Sequence, residues 1–176
     1  MKFSLLHVAF YLPAALAIWP RPRNLTTGDT PIRLASDFSI KFSHIPKIPQ
    51  DLSDAVSRTM KFLTTDQLQI LLPDRGASLS NIIRSARTLP SLTISLSNPS
   101  GQLKSISEDA VAGLGVTDES YTLLVPNTGG AILNAKTALG LLRGLATFEQ
   151  LWFYLDRMIY TLQAPIQIED SPVYVN

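Results

Sequence analysis

Tyr121 to Leu155 reads YTLLVPNTGGAILNAKTALGLLRGLATFEQLWFYL, and this run decides the fold class. Tyr121–Val125 is apolar and β-prone, and Pro126 with Gly129-Gly130 closes it. Ala131–Ala135 follows as a second strand, so the two are expected to pair as a hairpin across that turn. Thr137 then stands where a helix N-cap belongs, ahead of an apolar segment that predicts a helix to about Leu155. Twelve of the nineteen residues from Thr137 to Leu155 are apolar or aromatic, and Arg143 and Glu149 give no continuous polar face. A helix apolar on all sides is normally buried on all sides. The expectation is therefore a sheet against one side and a second domain against the other, with Arg143, Leu145, Phe148 and Trp152 as the packing residues between domains.

Upstream, Ile32–Phe42 alternates through Phe38, Ile40 and Phe42, the period of a half-buried strand. Leu52, Ala55, Val56, Met60 and Leu63 recur at helical spacing and predict a helix over Asp51–Leu72, stopped by Pro73-Asp74-Arg75-Gly76. Residues 77–89 read as a loop with a short helix. Leu92, Ile94 and Leu96 mark another strand, and residues 102–118 a long loop. Met158–Leu162 and Ile166–Ile168 read as short final strands. Together these predict a two-layer α+β domain: an antiparallel sheet with two helices packed on one face.

The first residues read as a secretory signal. Lys2 precedes the apolar Phe3–Leu12, and Ala15-Leu16-Ala17 offers small residues for cleavage between Ala17 and Ile18. The run is shorter than the ~20 residues that span a bilayer, so no membrane anchor is expected after cleavage. Domain boundaries follow: signal 1–17, a domain over 18–170, and the start of a linker at 171–176. Asn24-Leu25-Thr26 is a glycosylation sequon, which makes Asn24 the candidate modification site; Asn98 is blocked by Pro99. The expected destination is extracellular, or a vacuolar or lysosome-like compartment reached by the same route.

Composition narrows the chemistry. The chain carries 15 basic and 14 acidic residues, so nothing marks a nucleic-acid partner. It has no cysteine and only two histidines, His7 in the leader and His44 in a proline-broken connector. Thiol catalysis is excluded, and neither metal nor cofactor is expected. Asp118-Glu119 invites comparison with a catalytic carboxylate pair. It adjoins a strand, however, where successive side chains point to opposite faces, and a surface turn explains it better. Glu149 and Asp156 are isolated carboxylates. Gly140 and Gly144 share a helix face, which suggests that some backbone approaches there.

Three runs in fixed order carry a resemblance: DESYTLLV at Asp118–Val125, TALGLLRGLATFEQL at Thr137–Leu151, and IEDSP at Ile168–Pro172. With Trp19-Pro20 near the mature start, they resemble the N-terminal, non-catalytic domain of the eukaryotic, fungal-type β-N-acetylhexosaminidases, family 20 of the glycoside hydrolases. The resemblance implies a zincin-like α+β domain whose in-cis partner is a catalytic (β/α)8 barrel beginning after the Asp170-Ser171-Pro172 turn. It implies a truncation before that barrel, and no catalytic residue carries over. The family removes terminal N-acetylglucosamine and N-acetylgalactosamine with the substrate's own acetamide as nucleophile, so this chain alone is expected to be inactive. A stand-alone secreted carbohydrate-binding or interaction module is the alternative, with oligomeric state open.

Overall fold

The computed structural model describes residues 18–65, 76–97, 103–113 and 116–171. The leader through Ala17, the end of the expected first helix, and the linker from Pro172 lie outside the described residues. Six strands and four α-helices follow one another as β1 (Asn24–Ser43), α1 (Gln50–Thr65), α2 (Ser80–Ser85), β2 (Arg87–Leu96), α3 (Ile106–Ala110), β3 (Tyr121–Val125), β4 (Ala131–Ala135), α4 (Ala138–Glu149), β5 (Phe153–Leu155) and β6 (Met158–Asp170). A single 3-10 turn, Ala77–Leu79, leads into α2.

The α+β class holds, with two corrections. The sheet is mixed rather than antiparallel: β2 runs parallel to both β1 and β4, and the other pairings are antiparallel. Four helices, not two, accompany it among the described residues. The strand order is β1-β2-β4-β3-β6-β5, and β1 also pairs with β6. The twenty-residue β1 makes this possible. Its first half pairs with β6, from Asn24↔Glu169 to Arg33↔Tyr160. Its second half pairs with β2, to Ser43↔Ser95. The pairings thus close a circuit of β1, β2, β4, β3 and β6.

Alternation sorts the residues to two faces. Inward go Tyr121, Leu123 and Val125 of β3, Ala131, Leu133 and Ala135 of β4, Leu92 and Ile94 of β2, and Ile166 and Ile168 of β6, all buried. Outward go Thr122, Ile132, Gln167 and Glu169, all exposed. The bulge near Gly28 is where β1 meets Pro165 of β6. A Cβ at Gly28 would sit 2.4 Å from the Ala164 carbonyl oxygen, so only glycine lets the two backbones meet there.

α4 starts as its sequence implies: the Thr137 hydroxyl accepts from the Gly140 N–H at 2.9 Å. It stops at Glu149, short of Leu155. Trp152 lies in the connection, and Phe153–Leu155 forms β5 against Met158–Tyr160. The final strands are one, β6, running through Pro165. A smaller cluster of Ile83, Phe153 and Tyr160 packs α2 against that end of the sheet.

Candidate functional site: the α4 surface and the open sheet face

α4 is packed on more sides than a single sheet can provide. It contacts β3 and β4 beneath, α1 along its flank and α3 at its start. Thr59 of α1 donates to Glu149 at 2.6 Å. Asp109 of α3, buried, accepts from the Leu139 N–H at 3.3 Å. Tyr121 and Thr147 share a buried hydrogen bond of 2.6 Å, and burial pushes the Tyr121 phenol up to about 12 despite that bond.

This packing corrects the assignment of Leu145, Phe148 and Trp152 to contacts between domains. They are 1%, 0% and 0% exposed within this chain. Phe148 stacks on Phe38 of β1 with ring centres 6.0 Å apart, and meets Trp152 edge-on at 5.4 Å. α1 along its flank and α3 at its start, the latter unrevealed by periodicity, cover the side of α4 expected to face a second domain. Arg143 alone of the four reaches the surface, with its side chain half exposed.

Arg143 is paired at that surface. Its Nε donates to Glu119 at 2.6 Å and a terminal nitrogen donates to the other oxygen at 3.3 Å, a two-pronged geometry. Glu119 is buried. Asp118 faces elsewhere. It accepts from the Ser120 N–H at 2.9 Å and pairs with Lys136 at 3.3 Å. Partial burial raises its carboxyl, but the bonds from Ser120 and Lys136 outweigh this and hold it below the ordinary range. The two carboxylates therefore serve separate structural partners. Asp156 pairs with Arg84 at 2.8 Å on the surface.

At the α1–α3 junction, Asp51 accepts from the Ser107 N–H at 3.0 Å. Burial again pushes upward, and backbone bonds from Ser107 and Ile106 bring the Asp51 carboxyl down. α3 opens on a capping box in which Ser105 and Glu108 satisfy each other's backbone N–H. That Ser-x-x-Glu spacing was the available signal for the missed helix. Among the described residues no group of three or more metal-ligating side chains gathers, and no helix is long and apolar enough to cross a membrane.

The second surface is the outer face of the sheet. A groove of about 440 Å³ runs over β1, β6, β3 and β4, lined by Asn24, Thr26, Thr122, Leu124, Ile132 and Gln167 among others. Asn24 stands exposed at its rim. Ile18, by contrast, is buried as a member of the main core.

Residues 18–151 match the family model described as "beta-acetyl hexosaminidase like". The chain is 35% identical over 106 residues to "Beta-hexosaminidase 1" of Arabidopsis thaliana, covering 56% of this chain and 18% of that protein. Its fold matches the Flavobacterium johnsoniae chitobiase with a TM-score of 0.56 and 23% identity, over 86% of this chain and 20% of the chitobiase. It also matches the structure of CpGH84B with a TM-score of 0.50 and 14% identity, over 89% of this chain and 22% of that one. The chain thus spans about a fifth of the length of these relatives. With its family model matched across most of its length, on a fold it shares with a solved chitobiase, this chain belongs to the beta-acetyl hexosaminidase like family, the N-terminal domain of family 20 glycoside hydrolases.

Proposed function

We propose that this chain is the non-catalytic N-terminal domain of a secreted, fungal-type β-N-acetylhexosaminidase. In the whole enzyme it packs in cis on the catalytic barrel, which removes terminal N-acetylglucosamine or N-acetylgalactosamine. The observation that carries this is the family match over residues 18–151. The carboxylates support a structural role. Asp118, Glu119, Glu149 and Asp156 bond to Lys136, Arg143, Thr59 and Arg84. Acid–base hydrolysis needs partners converging on one bond, whereas each of these four carboxylates is held by its own partner.

A kinetic assay tests it. The pure chain should not turn over an aryl N-acetyl-β-glucosaminide, while adding the catalytic portion of a hexosaminidase should yield an active, more heat-resistant complex. Turnover by the chain alone, co-eluting with it through chromatography, overturns the proposal. The stand-alone secreted module is favoured by one observation: α4 is covered within this chain, so the core is closed without a barrel. A monodisperse monomer that binds no hydrophobic dye and gains nothing from the catalytic portion supports that second reading.

A further inference from the structure

The sequon and the groove are one place. Asn24 and Thr26 lie two apart on β1, so both point to the same face of the sheet, and both line the groove. Registers extend each of them into a row across four strands. Asn24 pairs with Glu169, Glu169 with Thr122, and Thr122 with Asn134. Beside it Thr26 pairs with Gln167, Gln167 with Leu124, and Leu124 with Ile132. With strands about 4.8 Å apart, each row runs about 14 Å from β1 to β4.

The chemistry of the two rows is that of a sugar-contacting surface. One presents a carboxylate, a hydroxyl and an amide. The other presents an amide and then two outward apolar side chains, Leu124 half-buried and Ile132 40% exposed. Glu169 is the one charged residue lining the groove. A pyranose ring has apolar C–H faces and a polar rim. Laid flat, it would cover Leu124 and Ile132 with a face and offer its acetamide and hydroxyls to Gln167, Thr122 and Asn134. Between Asn24 and these residues stand Glu169 and Gln167, both exposed and both able to accept from sugar hydroxyls or the acetamide N–H.

We propose that an Asn24-linked glycan lies down on the domain's own open sheet face, its first N-acetylglucosamine residues over Leu124 and Ile132. The inference rests on the reading of Asn24 as a glycosylation site in a secreted chain. The occupant is covalently anchored at the rim, so its effective concentration over the groove is high without intrinsic affinity. The glycan then serves as the missing cover of an exposed apolar pair.

The test uses the whole chain expressed in a eukaryotic secretory host, with occupancy at Asn24 read by intact mass. The glycosylated chain is compared with the Asn24→Asp chain, which bears no sugar. Hydroxyl-radical footprinting reads side-chain access. Labelling of Leu124 and Ile132 should fall roughly twofold or more in the glycosylated form as apolar surface leaves solvent, with Val111 unchanged as an exposed reference. The thermal midpoint of the glycosylated form should exceed that of Asn24→Asp, and Leu124→Ser with Ile132→Ser should abolish the difference. An Asn24 found unmodified removes the underlying reading. An Asn24 found modified, with labelling of Leu124 and Ile132 unaltered, overturns this inference alone.

Discussion

Gly140→Ala is the sharpest test of how α4 meets the sheet. Helix propensity alone favours the change by up to ~1 kcal/mol. The surroundings oppose it. A Cβ at position 140 would lie 2.6 Å from the Ser120 carbonyl oxygen and 3.0 Å from the Ala135 Cβ. Neither is the tip of a flexible side chain, so the first turn of α4 must lift away from the sheet. Lifting it strains the Thr137 cap, whose hydroxyl bonds both the Gly140 N–H and the Asp118 carbonyl. Overpacking costs about 1–3 kcal/mol and a weakened cap about 1 kcal/mol more. Less the propensity gain, the expected loss is about 2 kcal/mol. That corresponds to roughly 4–8 °C in thermal midpoint for a domain of this size. Urea unfolding followed by circular dichroism measures it, with Gly144→Ala as comparison. A Cβ there would meet Leu133 side-chain carbons, the nearest at 2.2 Å, and a leucine can turn aside. Gly144→Ala should therefore cost less than Gly140→Ala. A Gly140→Ala protein as stable as the parent, or a reversed order of the two, refutes the close approach at Ser120.

Three further outcomes are expected. Arg143→Met should lower stability by about 1–2 kcal/mol in urea, less than a fully buried pair would because Arg143 is half exposed, and Arg143→Lys should recover only part of it. Asp118 and Asp51 have lowered folded pKa values, so their contribution is complete above the unfolded value of about 3.9 and is lost as pH falls through the folded one. The urea midpoint should drop in acid, and Asp118→Asn with Asp51→Asn should flatten that limb; a limb of unchanged slope speaks against it. Tyr121, raised from 10.0 to about 12, contributes fully below its unfolded pKa and loses that contribution as pH rises toward the folded one. Tyr121→Phe should therefore weaken the alkaline dependence of the midpoint, measured between neutral pH and 11.

What the sequence made legible was local. The β3–β4 hairpin, the Thr137 cap and the alternation of burial on β3 and β4 all depend on residues within a few positions of one another. The end of α4 did not. Trp152-Phe153-Tyr154-Leu155 is a short apolar run, which fits a helix or a buried strand equally, and pairing with Met158–Tyr160 decides for β5. The first half of β1 is polar, broken by Gly28 and Pro31, and is a strand only because β6 lies alongside. Parallel pairing of β2 leaves no mark in composition. At the surface, Arg143 stood out as a charge within an apolar helix. Its partner Glu119 comes from the turn before β3, 24 positions away, and only the meeting of α4 and β3 selects it over other acids. The groove behaves likewise: its sequon is visible in three residues, its far wall only through three strand registers.

The closing of the sheet circuit by β1 and β6 has a consequence for synthesis. Asn24 pairs with a residue 145 positions later, and Arg33 with one 127 later. A ribosome releases the chain from its N-terminus, so the first half of β1 emerges with no partner edge and waits until nearly the last described residue is out. Pairings this distant must overcome loop-closure entropy before they return any stability, which slows folding. During that interval β1 is an open edge, and its polar, glycine- and proline-interrupted first half is poorly suited to recruit a neighbour by mistake. A nascent domain of this kind locks last where its two ends meet, when nearly all of the described chain has already been made.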